Sequence, residues 1–357
     1  MNPYIAGLLL LGLAGLLIVI AIYRTTYRPL DGDVLSVVCR STAPQLAPGQ
    51  LVKVLTYNVQ FMAGKDYVFF FDVPDFSRGA SRPSPAAIQR TLAEVARVIT
   101  AEDPDVILLQ EVDEGARRTD YADQLAQLLA LLPESYACHT ATFYWKAAFI
   151  PHPRILGSVG LKLAIVSKYR VSQACRRNLA PLPVHPLIQA FVAQRAILEA
   201  SLPIRGGGQL HVMNTHLEAF AANTNICARQ VAQVKSHLDA LDEAQAHWVI
   251  GGDFNLLPDG QYAGLHPSHR SYYNPLTEMS PLYSRFNTVP SQSQAVGPDA
   301  SRWFTYFGND PVLKTPDRTL DYLLYSRTLR LIESHVRQAD TRHVSDHFPV
   351  VATFQLP

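Results

Sequence analysis

The chain of 357 residues has the length of one large domain or two small ones. Its apolar content of 48% suffices for a hydrophobic core, and a formal net charge of +1 excludes a general attraction to nucleic acid or to anionic membrane surfaces. The four cysteines are scattered without a Cys-X-X-Cys pair, which argues against a zinc or thioredoxin-type site. Cysteine usage leaves the redox compartment open.

An uncharged apolar stretch, Tyr4 to Tyr23, opens the chain and is long enough to cross a bilayer as a helix. Its tyrosines suit the two membrane interfaces. We therefore expect residues 1–28 to form an uncleaved transmembrane anchor. A cleaved signal peptide is the competing interpretation, but a basic start and a small-residue cleavage site are not clear here. Arg24 and Arg28 favour a cytoplasmic catalytic domain, and an exported domain on a signal anchor stays open.

The next segment, residues 29–50, is rich in proline and is predicted to be a tether. A short strand at Val34–Val38 is compatible with its sequence. At Leu51–Tyr57 the chain changes to an apolar run typical of a buried strand, which ends at Asn58. This strand opens the main domain, which we expect to span residues 51–357.

An aromatic run at residues 67–76 follows the first strand. A core strand is the favoured interpretation of this run. The alternative is an apolar loop that contacts a membrane or a lipid substrate beside the active site.

Ser84 and Pro85 are typical of a helix start, with serine as the N-cap and proline at the first position. Apolar residues at steps of three and four then predict a helix that stops at Asp103–Asp105. A second buried strand, Val106–Leu109, follows and ends at Gln110 and Glu111.

Strands and helices continue to alternate toward the C-terminus. Residues 268–316 are polar and rich in proline, tyrosine and serine, and they are predicted to be mostly loop. Helices are predicted at residues 121–132 and 227–241, and strands at residues 163–167, 193–202, 209–213, 248–250, 320–325 and 350–354.

A glycine-rich pentapeptide, residues 251–255, follows the strand at 248–250. Its glycines are expected to let the backbone turn sharply as the strand ends. Asp253 and Asn255 point the same way if the extended geometry persists, and a carboxylate beside an amide can hold a metal, a phosphate or an attacking water. A simple turn is an equally good interpretation of these residue types.

Polar residues recur at the ends of the predicted strands. Ligand sites form where strand ends and their loops converge, so we expect these residues to meet. Clustered carboxylates repel by about 4 kcal/mol per pair at 4 Å near a protein surface, so they need a cation, and oxygen ligands suit Mg²⁺ or Mn²⁺. The residues are Asn58, Glu111, His216, Asp253, Asn255, Asp321, Asp346 and His347.

Six short motifs around these residues occur in the order of one known family. The chain from about Val52 to Phe354 resembles the endonuclease/exonuclease/phosphatase superfamily. The resemblance implies a four-layer α/β sandwich of the DNase I-like fold and Mg²⁺-dependent phosphoester hydrolysis. The motifs are Thr56-Tyr57-Asn58-Val59, Leu109-Gln110-Glu111-Val112, Asn214-Thr215-His216-Leu217, Gly251-Gly252-Asp253-Phe254-Asn255, Leu320-Asp321-Tyr322 and Ser345-Asp346-His347-Phe348-Pro349.

The resemblance also implies a role for each residue of the cluster. It implies a metal site with Glu111 as principal ligand and Asn58 and Asp346 as helpers, and it implies that Asp253 and Asn255 hold the attacking water and the phosphate oxygens. His347 would deprotonate the water or contact the phosphate, and Asp321 would orient this histidine. His216, the second histidine, would stabilise the transition state or protonate the leaving oxygen.

The substrate is the open question, since the superfamily includes nucleases, inositol-phosphate phosphatases, sphingomyelinases and deadenylases. His216 argues against the abasic-site nuclease branch, and Leu163–Tyr169 resembles a strand of bacterial sphingomyelinases. The anchor and the aromatic run favour a membrane-anchored phosphodiesterase acting on a phospholipid or sphingolipid headgroup. The alternatives are a metal-dependent nuclease acting on DNA or RNA, and an inactive binding module of the same fold. A basic cleft would favour the nuclease, and an apolar rim the lipid.

Overall fold

Two mixed β-sheets pack face to face in the computed structural model, which describes residues 3–73, 79–222 and 224–357. One sheet has seven strands and the other six within these residues. The strands in chain order are β1 (Val37–Cys39), β2 (Leu51–Asn58), β3 (Val106–Asp113), β4 (Cys138–Ile150), β5 (Gly157–Ser167), β6 (Gln173–Asn178), β7 (Ala196–Pro203), β8 (Gln209–His216), β9 (His247–Asp253), β10 (Asn287–Val289), β11 (Asp321–Tyr325), β12 (Arg330–Val336) and β13 (Val350–Gln355).

Each sheet contains a parallel pair that carries site residues. The strand order is β1-β4-β5-β3-β2-β13-β12 in the first sheet and β10-β11-β9-β8-β7-β6 in the second. In the parallel pair β2–β3, Asn58 lies opposite Gln110, and in β8–β9, His216 lies opposite Asp253. Because parallel strands end at the same edge of a sheet, each pair brings two polar side chains to one edge.

Helices cover the outer sides of both sheets. The α-helices of the described residues, in chain order, are α1 (Pro3–Thr25), α2 (Pro85–Glu102), α3 (Gln124–Leu131), α4 (Pro186–Gln189), α5 (Ile226–Glu243), α6 (Ser280–Tyr283) and α7 (Gln292–Val296). The helices α2 and α3 pack on the first sheet, and α5 and α6 pack on the second. The domain is therefore the four-layer α/β sandwich that the resemblance implied.

The core between the sheets fixes the two edges relative to each other. Val54 and Leu108 of the first sheet belong to the same fully buried cluster as Leu198 and Val249 of the second. Burial of a side chain of this size stabilises by roughly 1.5–3 kcal/mol. The apolar packing therefore holds both strand edges in position, and the polar site depends on it.

The first long domain helix, α2, follows the sequence prediction closely. Ser84 accepts a hydrogen bond from the Ala87 amide at 3.2 Å, and Pro85 is the first helical residue. Ile88 and Leu92 face the first sheet, and the helix ends at Asp103, whose φ of 50° is left-handed. The serine cap and the proline start thus give the helix its predicted beginning.

Four strands were not predicted from the sequence, namely β4, β6, β10 and β12. The longest, β4, alternates buried and half-buried residues over most of its length, as expected of a strand with only one side facing the core. Its buried positions include Thr140 and Thr142, so the apolar pattern that marks the other strands is weak there.

Residues 29–50, predicted to be a tether, pack on the domain over much of their length. The strand β1 pairs antiparallel with β4, and a disulfide joins Cys39 to Cys138. Leu46 is fully buried in the core between the sheets. The expected strand at Val34–Val38 lies slightly later, at Val37–Cys39.

The N-terminal helix α1 has the properties expected of a membrane span. Residues Pro3–Arg24 have a mean hydropathy of 2.9, and none of this stretch is buried against the domain. Arg24 lies in its last turn. Length and composition therefore allow α1 to cross a bilayer, and its role as an uncleaved anchor stays a prediction.

The aromatic run at residues 67–76 is a loop over its described part, so the favoured prediction of a core strand is wrong there. Phe69 is buried against Phe61, while Phe70 and Phe71 are half-buried and line a cleft. Residues 74–76 of the run lie outside the described part of the chain. A loop of this kind gives each aromatic ring its own direction, which a strand's strict alternation does not allow.

Candidate active site

The predicted site residues meet at one end of the sandwich, around a cleft of about 440 Å³. Asn58 and Asp321 lie behind the cleft surface, where they bind the residues that line it. The other six predicted residues line the cleft: Glu111, His216, Asp253, Asn255, Asp346 and His347.

Asn58, the last residue of β2, links the two sheets. Its amide nitrogen donates to Glu111 Oε1 and to Asp253 Oδ2, both at 3.0 Å. Its amide oxygen accepts from the backbone amide of Gln60 at 3.0 Å, which fixes the orientation of the side chain. A fully buried amide with these partners positions one carboxylate from each sheet.

Glu111 owes its position to an irregularity in β3. The strand does not end at this residue, as predicted, but runs on to Asp113 through a register shift between Leu109 and Val112. Glu111 has a φ of 59°, a left-handed conformation that is uncommon for a residue other than glycine. Bulges next to active sites re-aim side chains, and this one turns the Glu111 carboxylate into the cleft.

Asp253 lies at the centre of the site. Its Oδ2 atom is 3.4 Å from His216 Nε2 and 3.6 Å from His347 Nε2, in addition to the bond from Asn58. Its other oxygen, Oδ1, accepts from the Asn255 backbone amide at 2.9 Å. Burial raises the pKa of Asp253 to about 7 although His347 opposes this shift.

The pentapeptide at residues 251–255 differs from its prediction in one respect. Gly251 and Gly252 do not turn the chain but lie inside β9, which runs to Asp253. A Cβ on Gly252 would lie 1.9 Å from the Thr215 carbonyl oxygen, so the neighbouring strand requires glycine there. The chain turns instead at Asn255, whose φ is 53° and whose side-chain nitrogen donates to the Leu217 carbonyl at 3.2 Å.

His347 and Asp321 form the predicted histidine–carboxylate pair. His347 Nδ1 lies 2.8 Å from Asp321 Oδ2, and Tyr306 packs edge-on against the imidazole ring. Burial alone would lower the pKa of His347, but Asp321 and Asp253 outweigh it and raise this pKa well above its usual range. The pair therefore holds a proton on an oriented ring that points its other nitrogen toward Asp253.

The pKa of His216, the second histidine, is shifted in the opposite direction to that of His347. Burial, helped by the positive charges of Arg195 and His347, lowers its pKa well below the usual value. The ring packs against Tyr144 at 5.1 Å between centroids, and its Nδ1 atom is buried without a hydrogen-bond partner. Two histidines on the same aspartate thus have pKa values pushed apart, an arrangement typical of acid–base sites.

Asp346 lines the cleft but stands somewhat apart from the other predicted metal ligands. Ser345 donates to Asp346 Oδ1 at 3.3 Å and to the Asn58 carbonyl at 2.9 Å. Among the described residues, two groups have ligand atoms within 4.8 Å of one another, and Asp346 belongs to neither. The groups are Glu111 with His216 and Asp253, and Asp253 with Asp321 and His347.

The donor set fits a hard divalent cation. Burial is the main cause that raises the pKa values of Glu111 and Asp346, as it does for Asp253. Uncompensated carboxylates of this kind gain most from a cation, and carboxylate and amide oxygens are the ligands that Mg²⁺ prefers. Glu111, with Asn58 and Asp346 as its predicted helpers, would hold such an ion, and Asp253 lies close enough to Glu111 to share it.

Sequence analysis missed several residues that shape the cleft. Arg195 pairs with Glu218 at 3.1 Å and donates to the His216 carbonyl at 3.4 Å, so it supports the second histidine. Arg118 pairs with buried Asp113 at 2.8 Å. Arg195 directly precedes an apolar run, which is a weak sequence signal, whereas Arg118 lies in a polar stretch that gives none. The apolar wall comes from distant segments and includes Phe70, Phe71, Trp145, Ile150, Phe191 and Phe220.

Structural comparison supports the fold at low sequence identity. An endonuclease/exonuclease/phosphatase from Beutenbergia cavernae is 22% identical, with a TM-score of 0.58 over 86% of this chain and 72% of that chain. The human Nocturnin catalytic domain is 18% identical, with a TM-score of 0.53 over 90% and 97%. A family protein from Leptotrichia buccalis is 15% identical, with a TM-score of 0.52 over 85% and 99%. No curated protein matches the sequence.

The family assignment rests on the sequence as well as the fold. The profile of the Endonuclease/Exonuclease/phosphatase family matches residues 55–347, which include all eight predicted site residues. Members of this family are mostly hydrolases that act on phosphoesters. With the strand-end cluster in the predicted place and the sandwich fold around it, the chain belongs to the endonuclease/exonuclease/phosphatase family.

Proposed function

We propose that the protein is a membrane-anchored, Mg²⁺- or Mn²⁺-dependent phosphodiesterase that hydrolyses the headgroup phosphoester of a phospholipid or sphingolipid. One observation carries the choice of substrate: the polar centre opens directly onto an apolar wall that includes Phe70, Phe71 and Phe191. A phosphoester joined to a lipid offers both a charged group for the centre and apolar surface for the wall.

The chain's own residues support hydrolysis by an activated water. His347, oriented by Asp321, exchanges a proton with the attacking water or contacts the phosphate, and Asp253 with Asn255 holds water and phosphate oxygens. The neutral His216, whose Nε2 atom lies 3.4 Å from Asp253 Oδ2, stabilises the transition state or protonates the leaving oxygen. A bound divalent cation would neutralise the charge that develops on the phosphate.

The apolar surface extends beyond the centre, which supports a substrate with a hydrocarbon part. A second hollow of about 310 Å³ shares Phe70, Phe71 and Trp145 with the cleft. Four arginines also line this hollow. Two pair with carboxylates, Arg82 with Asp120 at 2.7 Å and Arg118 with Asp113 at 2.8 Å, and the other two, Arg117 and Arg154, donate to backbone carbonyls. The carboxylates balance the charge of Arg82 and Arg118, whereas Arg117 and Arg154 keep a positive charge that can attract the phosphate of a lipid headgroup or of a nucleic-acid backbone. The lipid proposal therefore rests on the apolar wall, and the DNA arm of the activity test decides between the two substrates.

We propose further that the catalytic domain faces an oxidising compartment. The disulfide Cys39–Cys138 joins β1 to β4, and structural disulfides persist outside the cytosol. This feature opposes the sequence preference for a cytoplasmic domain, which rests on Arg24 and Arg28 alone. Thiol labelling of the native membrane protein tests the proposal, since labelling of Cys39 before reduction would contradict it.

The activity test uses the full-length protein in nanodiscs, supplied with sphingomyelin, phosphatidylcholine or plasmid DNA. We expect Mg²⁺-dependent release of a phosphorylated headgroup, abolished by EDTA and absent in a folded His347→Ala variant. Nicking of DNA without headgroup release would replace the lipid proposal by the nuclease. Metal-independent release, or full activity of His347→Ala, would overturn the proposed site.

A further inference from the structure

A very short connection holds the end of α1 close to the catalytic domain. The helix ends at Thr25, and the ring of Tyr27 packs edge-on against Phe143 of β4 at 6.1 Å between centroids. Two residues span at most about 7 Å, so the end of the helix lies close to the domain surface. Arg176 of β6 lies 5.8 Å from the centre of the Tyr27 ring on the same surface.

The residues that follow the helix are also held in place. Asn178 donates from its side chain to the Pro29 carbonyl at 2.9 Å and from its backbone to Asp31 Oδ1 at 2.8 Å. The backbone amide of Gly32 donates to the Arg176 carbonyl at 2.9 Å. The connection between helix and domain is therefore bonded along β6, and the helix end has a set position on the domain.

This position lies directly behind one wall of the cleft. The buried guanidinium of Arg176 donates to the carbonyls of Phe143 and Gln194. The residues that follow these two in the chain, Tyr144 and Arg195, line the cleft. Phe143, which contacts Tyr27, directly precedes the cleft-lining Tyr144 in β4, so the connection from the helix packs on the strand that forms this wall.

The same wall carries exposed apolar side chains. Phe149 and Leu156 lie in the hairpin of β4 and β5 and are 52% and 50% exposed. Leu187 and Ile188, each 49% exposed, lie in α4, between the cleft-lining Leu182 and Phe191. Single exposed apolar residues are ordinary, but these two segments adjoin, because Ile150 and Ile155 belong to one apolar cluster with Phe191. We call the four exposed side chains on them the apolar rim.

The charge of these segments suits a membrane surface. Residues 143–156 and 182–195 contain no aspartate or glutamate, whereas the first segment carries Lys146 and Arg154. Lysine and arginine can lay their apolar stems along apolar surface while their charged ends stay in the hydrated headgroup layer. Lys146 is exposed. Apolar tips beside basic residues are the combination that lies at the boundary of headgroups and acyl chains.

We propose that the apolar rim docks on the bilayer that holds α1. The cleft would then open at the headgroup layer of the leaflet from which α1 emerges on the side of the catalytic domain. This inference rests on the proposed anchor and deepens the proposed lipid activity. It predicts that the enzyme takes its substrate from its own membrane.

Depth-dependent fluorescence quenching tests the docking without using activity. Phe149→Trp and a control, Ile332→Trp, are introduced into the full-length protein in nanodiscs that contain brominated lipids. Ile332 is 43% exposed, lies on β12 and does not line the cleft. We expect quenching of the added tryptophan at position 149 to exceed that at position 332 by about twofold or more, because an interfacial side chain lies within about 5–10 Å of the acyl boundary. Equal quenching at the two positions would overturn the proposal.

A paired assay separates this inference from the proposed function. We expect Leu187→Asp combined with Ile188→Asp to lower hydrolysis of nanodisc lipid about tenfold, because two charged groups would enter the interface, and to leave hydrolysis of soluble bis(4-nitrophenyl) phosphate unchanged. Unchanged lipid hydrolysis would contradict docking through the rim. The proposed function has its own test in the parent protein. If EDTA lowers hydrolysis of neither the lipid nor the soluble diester, the proposed metal-dependent function is contradicted, whatever the quenching shows.

Discussion

The polar centre and the apolar wall of the cleft are built from different parts of the fold. The centre comes from strand ends and nearby turns, where Asn58 and Asp253 join the two sheets by a 3.0 Å hydrogen bond. The wall comes from loops and a hairpin, with Phe71 and Trp145 half-buried at its surface. We expect that the chemistry and the choice of substrate can be changed separately, since among the described residues the hydrogen bonds that orient the centre involve neither of these two rings.

The two regions also differ in how firmly their side chains are held. Asp253 receives bonds from Asn58 and Asn255, and Asp321 holds His347, so the central side chains orient one another. The rings of the wall pack mainly against other rings, as Phe70 does against His152 at 5.3 Å. Changes in the centre should therefore affect every substrate, and changes in the wall only those with an apolar part.

The largest effect is expected from Glu111→Gln. The change removes the carboxylate that we assign as principal metal ligand, so we expect turnover to fall by roughly 10²–10⁴-fold for soluble and lipid diesters alike. The free energy of unfolding should change little in EDTA, because glutamine keeps the shape and can still bond Asn58. Turnover, thermal unfolding and metal binding by calorimetry measure the three quantities.

Glu114→Gln is the matched control for this substitution. Glu114 lies three residues further on, pairs with Lys162 and does not line the cleft. Its change should leave turnover within about twofold, since the buried Lys162 keeps Asp123 as a second partner at 3.3 Å. Normal turnover of Glu111→Gln, or equal losses in both variants, would refute the assignment of Glu111.

Asp321→Asn should give the next largest effect, about 10²-fold in turnover. Asp321 is the strongest of the groups that raise the pKa of His347, so the variant should lower that pKa toward or below its usual range. The limb of the pH–rate profile that reports His347 should then move to lower pH. A loss of turnover with an unmoved profile would show that Asp321 acts on structure and not on the histidine.

The centre was predictable from sequence because its residues follow apolar runs at short, fixed distances. All eight predicted residues meet around one cleft, although Glu111 reaches it through a bulge and Asn255 through a left-handed turn. Neither irregularity has a local signal beyond the motif, because both depend on hydrogen bonds to distant strands. The roles of the eight residues stay predictions.

The wall was less predictable for a physical reason. It combines residues 67–73 with β4 and residues 182–195, which the chain separates widely and the fold brings together. Aromatic residues favour strands on average, so residues 67–76 read as a core strand. Their actual loop conformation depends on contacts such as Phe61 with Phe69, and sequence periodicity does not encode these contacts. The disulfide that fixes residues 29–50 is equally nonlocal.

Metal binding should depend on pH in a direction set by Asp253. Its pKa is raised to about 7, so the metal-free protein holds a proton there below pH 7 and loses the associated stability as pH rises through that value. A cation must displace this proton at pH 5.5 but not at pH 8. We therefore expect one fixed Mg²⁺ concentration, 100 times the dissociation constant at pH 8, to stabilise by about 2.7 kcal/mol at pH 8 and by less at pH 5.5, where the dissociation constant is higher.

Thermal unfolding with Mg²⁺ and with EDTA at the two pH values measures this difference. Asp253→Asn is the control, because it has no proton to lose and should show a smaller metal effect that no longer grows between pH 5.5 and 8. A metal effect that is equal at both pH values in the parent protein would contradict the prediction.

The smallest effect, about tenfold, is expected from Phe71→Ala, and it is confined to lipid. Truncating this half-buried ring removes apolar contact worth roughly 1.5 kcal/mol to a bound hydrocarbon group, which corresponds to about a tenfold rise in KM. The kcat for lipid and both constants for bis(4-nitrophenyl) phosphate should stay near parent values, because Phe71 makes no bond to the polar centre. Ile332→Ala, on β12 away from the cleft, should change neither substrate. Equal losses on both diesters would mean that the wall supports the centre, and the separation of chemistry from substrate choice would be wrong.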